Sequence, residues 1–86
     1  MRFFIKDYIN KIGTADIIKF ASFNNVELNQ DEALVLDFYL KNNWEELLYG
    51  DPLPIIRNIE EKLGKSKALV ITDLFYSYKE KYKNYL

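Results

Sequence analysis

Glycine and proline interrupt regular secondary structure more than other residues do, and this chain contains few of them. Only three glycines and two prolines occur in 86 residues. Long uninterrupted elements are therefore expected, and a turn-rich β-sandwich is disfavoured. With 49% apolar and 29% charged residues, the composition is that of a folded protein of one domain, residues 1–86.

Apolar residues recur at helical spacing along most of the chain. The spacing predicts a short first helix over about 3–12 and four longer helices, over about 15–24, 30–42 and 53–63 and from Ala68 onward. A short helical turn is predicted through Trp44, Leu47 and Leu48. The predicted fold is all-α, a compact bundle of four longer helices plus one short helical turn, with the third and last helices central.

Residues typical of helix ends lie between these segments. Asn29 and Glu32 have the spacing of a capping box, and Gly64 stands where a C-terminal glycine is favoured. Thr14 is expected to cap the second helix, with Asp16 in its first turn. That helix is expected to bury Ile17, Ile18, Phe20, Ala21 and Phe23.

Histidine and cysteine are both absent. Their absence removes disulfides, thiolate nucleophiles, imidazole bases and the usual zinc ligands. No glycine-rich phosphate loop or calcium loop occurs in the sequence. Three carboxylate doublets are typical of helix starts and solvated faces rather than of catalytic pairs: Asp31/Glu32, Glu45/Glu46 and Glu60/Glu61. We therefore predict that the protein is not an enzyme and uses no cofactor or metal.

The expected location is the cytoplasm. Near the N-terminus an apolar run of only three residues precedes Lys6, whereas a signal peptide needs about 7–15. No segment approaches the ~18 apolar residues of a membrane span. The absence of cysteine fits a reducing compartment.

Charge is distributed unevenly along the chain. Residues 1–26 carry +2, residues 27–61 carry −7 and residues 62–86 carry +4, for a net charge of −1. The third predicted helix begins with Asp31 and Glu32. Because a DNA-recognition helix is neutral or basic, this acidic start argues against a helix-turn-helix function.

Three interpretations fit the basic, tyrosine-rich C-terminal segment. It binds RNA by base stacking and phosphate contact, or it contacts protein, including the acidic middle segment of another copy. In the third interpretation Tyr78, Tyr82 and Tyr85 continue the core stripe, and the lysines form its solvated face. Trp44 is in turn either a core residue or an interface anchor.

The leading hypothesis is a cytoplasmic protein-interaction module, with a homodimer as one form. The alternative is a small nucleic-acid-associated protein that uses the basic, tyrosine-rich end, and this partner is not favoured. No membrane partner is expected. The candidate interaction surface comprises Trp44, Glu45, Tyr49, Tyr76, Lys79, Lys81, Tyr82 and Lys83.

Two stretches also suggest a family. Asn10–Ala21 resembles an opening N-x-L-T-x-x-E-L-L-x-x-A, and Asn25–Ala33 resembles I-x-L-T-x-x-Q-A. With the acidic-proline turn, the Ile-rich helix and the final Leu74-Phe75, this order is similar to the YqfT-like family of small uncharacterised proteins from Bacillales and staphylococci. The resemblance covers about residues 5–80 and departs at Gly13, where leucine is usual, and in the Tyr/Lys tail. It implies a helical fold and no catalytic residues.

Overall fold

The structure is a computed structural model that describes the backbone of residues 2–81 and 83–85 and the side chains of residues 4–77, 79–81 and 83–84. Within these limits the chain forms helices and no strand, which confirms the all-α prediction. The elements are α1 (Arg2–Lys11), α2 (Thr14–Phe23), α3 (Gln30–Tyr49), α4 (Leu53–Leu63), α5 (Lys65–Lys81) and a 3₁₀ turn (Lys83–Tyr85).

The predicted capping box begins α3. Oδ1 of Asn29 accepts a hydrogen bond from the Glu32 N–H at 2.8 Å, and Oε1 of Glu32 accepts one from the Asn29 N–H at 3.0 Å. These bonds satisfy two of the backbone donors that a helix start leaves free. At the start of α2 the cap is Gly13 rather than Thr14, and the Gly13 N–H donates to the Asp16 carboxylate at 2.9 Å.

The third helix is longer than predicted because the separate short turn is joined to it. Within Gln30–Tyr49 only Asn43 departs from helical geometry, with φ −131° and ψ 22°. Asparagine suits such a position because its short polar side chain competes for backbone hydrogen bonds. Beyond the kink, Trp44 and Leu47 are buried. The predicted break is therefore a bend and not an end.

The central helix of the bundle is α3, which packs against α1, α2 and α4. The prediction that the last helix is also central needs correction, because α5 packs mainly against α4 and the 3₁₀ turn. The main buried cluster consists of Ala21, Val26, Leu28, Leu47, Ile55, Ile59, Leu63 and Ala68.

Several large apolar side chains remain outside this cluster. Phe23, predicted to be buried, is 89% exposed, and Phe20 is 41% exposed. The reason is that α2 has only ten residues and packs mainly on α3. Only the side of α2 around Ala21 is therefore buried. The prediction of a continued core stripe falls outside the described side chains, since it concerns Tyr78, Tyr82 and Tyr85.

Candidate interaction groove

An open apolar cavity of about 780 Å³, which we call the central groove, lies between the helices. Residues of α3 between Leu36 and Leu48 line one wall of the groove, and residues of α5 between Ile71 and Lys79 line another. Ile56 and Ile59 of α4 also line it. Its volume lies within the roughly 300–1,000 Å³ that is usual for binding sites in proteins.

Two lysines of α5 reach across to α3 and set the relation of the two walls. Nζ of Lys67 donates to both carboxylate oxygens of Glu32, at 2.8 and 2.9 Å. Nζ of Lys79 donates to the carbonyl oxygen of Leu47 at 3.3 Å. Both pairs follow the same chain order, so α3 and α5 run in the same direction. The shorter α4 returns between them and packs against both.

The groove opens to solvent on the side of α1 and α2. Of the nineteen residues that line it, the four exposed ones all lie on these two helices: Tyr8, Lys11, Asp16 and Phe20. The other lining residues are half-buried or buried. Two of the four exposed residues, Tyr8 and Phe20, therefore leave aromatic surface in water at the rim of the groove.

The charged groups of the groove are Lys11, Asp16 and Lys79. Asp16 is engaged at the start of α2, where it accepts the Gly13 N–H. Lys79 is half-buried, and its Nζ lies 5.8 Å from the centroid of the Phe75 ring, within cation–π range. In the described part of the chain no carboxylate pairs with either lysine. The groove therefore carries excess positive charge against apolar walls.

The structure places Trp44 in the core and not on the predicted interaction surface. It is 8% exposed, and its ring meets the half-buried Tyr49 edge-on, with centroids 6.4 Å apart. Trp44 thus offers no surface to a partner, which corrects that part of the prediction. Its neighbour Glu45 is exposed.

The C-terminal candidates do not form one surface with Trp44. Tyr76 is 42% exposed and contacts the edge of the Phe75 ring. Lys81 and Lys83 are exposed, and Lys83 pairs with Glu80 at 2.7 Å. Tyr82 lies outside the described residues. Of the predicted surface, only Lys79 lines the central groove.

The groove is not evident from the sequence pattern. One signal was present, since segment 30–42 has more apolar positions than a single stripe needs. That excess of apolar positions indicates a helix that is contacted on several sides. A filled core and an open groove require the same excess, so it does not distinguish them. Leu36 and Leu40, two of these apolar positions, are half-buried groove residues.

A metal site, a membrane span and similarity to known proteins are three further features that could indicate a function. In the described residues, no three acidic, histidine or cysteine side chains gather as a metal site requires. None of the helices described is long and apolar enough to cross a membrane. Comparison of the chain with protein-family models, curated proteins and solved structures finds no match.

Proposed function

We propose that this protein is a non-enzymatic, cytoplasmic protein-interaction module that holds the apolar face of a partner helix in the central groove. The observation that carries the proposal is the groove itself, an open apolar cavity lined by side chains of all five α-helices. Apolar grooves between helices recur as docking sites for amphipathic helices.

The driving force is burial of apolar surface that the single chain leaves in water. Phe20 and Tyr8 at the rim are the largest exposed apolar side chains of the groove. Covering the exposed part of Phe20 alone contributes about 1 kcal/mol, taking roughly 1.5–3 kcal/mol for complete burial of such a side chain. The half-buried walls beneath the rim add to this gain.

A second copy of the chain is one partner that the proposal includes. The acidic segment 27–61 and the basic segment 62–86 have complementary charges, which favours association between copies at low salt. Nucleic acid is less supported as a partner, because Lys83 is paired with Glu80 and Lys79 lines an apolar groove.

The test compares two phenylalanines of α2. Phe20 lies on the groove rim, while Phe23, three residues on, is exposed outside it. Sedimentation equilibrium reports self-association of the wild type, Phe20→Glu and Phe23→Glu. Tagged forms of the same three proteins are used for capture from the native cell after nuclease treatment, and each captured protein is then purified for direct binding.

We expect Phe20→Glu to weaken association about tenfold or more and Phe23→Glu to leave it unchanged, with both variants helical by circular dichroism. The proposal is wrong if Phe20→Glu associates like the wild type, or if Phe23→Glu loses association equally. It is also wrong if the wild type remains monomeric and no captured protein binds in a Phe20-dependent way. Retention on heparin that falls with salt would instead support the nucleic-acid alternative.

A further inference from the structure

We infer that Lys79 selects the partner segment and sets its direction: the groove binds an amphipathic helix of about three turns that presents a carboxylate to Lys79 at one end of its apolar face. This inference rests on the proposed function and deepens it. Two properties of the groove support it, its length and the state of Lys79.

The length of the groove limits the partner segment. On the α3 wall, the lining residues run from Leu36 to Leu48, and at 1.5 Å per residue this is about 18 Å of helix. The α5 wall, from Ile71 to Lys79, spans about 12 Å. A helix that covers the longer wall therefore has about twelve residues. A helix this short is marginal in water, so most of its order is gained on binding.

The second property is that Lys79 is an incompletely satisfied cation beside an apolar surface. An ammonium group has three donors, and Nζ of Lys79 makes one long hydrogen bond, 3.3 Å, to the neutral carbonyl oxygen of Leu47. Its other neighbour is the face of the Phe75 ring. No carboxylate in the described residues pairs with it, in contrast to Lys67, which binds both oxygens of Glu32.

A docked helix would remove more water from Lys79 and raise the cost of leaving it unpaired. A carboxylate on the partner offsets that cost with a charge-assisted hydrogen bond. The remaining charged groups of the groove do not set a direction in this way. Lys11 and Asp16 have opposite signs, and both lie exposed on the rim.

The probes are four synthetic sixteen-residue helical peptides that share one leucine face on an alanine-rich background. Two carry Glu at the first or last position of the leucine face, and two carry Lys at the same positions. Binding of each fluorescein-labelled peptide is measured by anisotropy at two salt concentrations. The proteins are the wild type, Lys79→Met, Lys79→Glu and, as a matched control, Lys65→Met, which changes an exposed lysine of the same helix outside the groove.

We expect one of the two Glu peptides to bind the wild type about tenfold more tightly than its Lys counterpart, and the preference to decline with salt. Lys79→Met should bind the Glu and Lys peptides with equal affinity, Lys79→Glu should reverse the preference, and Lys65→Met should retain it. Binding without charge preference, or a preference that Lys79→Met leaves intact, overturns this inference and leaves the proposed function standing. Failure of all four peptides to bind overturns this inference alone if Phe20-dependent association persists, and overturns both if that association is also absent.

Discussion

The carboxylate of Glu32 and the ammonium group of Lys67, thirty-five positions apart in the chain, join the first turns of α3 and α5 through hydrogen bonds of 2.8 and 2.9 Å. The hydrogen bond from Lys67 lowers the pKa of Glu32, and the Asn29 N–H adds to this effect, against an opposing contribution from burial. A carboxyl group whose pKa is lowered by folding stabilises the folded state at neutral pH. That contribution is lost as the pH falls through the lowered pKa.

Replacing Lys67 with Met is therefore expected to destabilise the protein in a pH-dependent way. At pH 7 the free energy of unfolding falls by less than about 1 kcal/mol, because Lys67 is partly exposed to solvent. In acid, where Glu32 is protonated in both proteins, the difference disappears. Urea unfolding followed by the fluorescence of the single tryptophan measures both conditions. Lys83→Met breaks an exposed pair with Glu80 and should not change the free energy of unfolding at either pH. An equal effect from both variants would contradict the assignment of the pH dependence to the pair of Glu32 and Lys67.

The capping box at α3 makes a second prediction. Asn29→Ala removes the oxygen that accepts the Glu32 N–H, and loss of such a cap costs about 1 kcal/mol. Asn58→Ala changes an exposed asparagine inside α4, where alanine is the better helix former. Chemical denaturation should show a lower free energy of unfolding for Asn29→Ala alone. Comparable decreases in the two variants would rule out the cap as the cause.

Gly64 separates α4 from α5 with φ 86° and ψ 159°, a backbone region almost confined to glycine. A Cβ at Gly64 would meet no atom within 4 Å, so Gly64→Ala tests the backbone alone and should cost about 1–3 kcal/mol. Gly13 has an extended backbone that any residue adopts, φ −112° and ψ 174°. Thermal unfolding of Gly13→Ala should therefore stay close to the wild type, and a destabilisation matching that of Gly64→Ala would refute the backbone explanation.

Trp44 is buried and Phe23, which was expected to be buried, is exposed. Trp44→Ala should lower the free energy of unfolding by about 3 kcal/mol or more, because it empties a buried site. Phe23→Ala removes a side chain that is 89% exposed and should change it by less than about 0.5 kcal/mol. Circular dichroism measures both, since the first variant has no tryptophan. If Trp44→Ala is as stable as the wild type, Trp44 is not a core residue and is again a candidate for the interaction surface.

Features of the fold that depend on residues close together in the chain could be predicted from the sequence, and features that depend on distant residues could not. The capping box of Asn29 and Glu32 and the glycine after α4 act within one turn of the chain, so the sequence indicates them directly. The sequence also indicates a break near Asn43, which in the structure is a bend within α3. Periodicity predicted which residues are apolar on each helix, but it did not show that Phe23 has no neighbour to cover it.

By itself, the sequence determined the all-α class, most helix ends and the absence of histidine and cysteine chemistry, because these follow from residue type and short-range spacing. Only the tertiary structure decided that α5 lies parallel to α3 with α4 between them, and that a groove remains there. The same leucines and isoleucines fill a core or line a cavity, depending on how far apart their helices stand. Contacts across that distance, such as Lys67 with Glu32 and Lys79 with Leu47, join residues far apart in the chain, for which no local pattern exists.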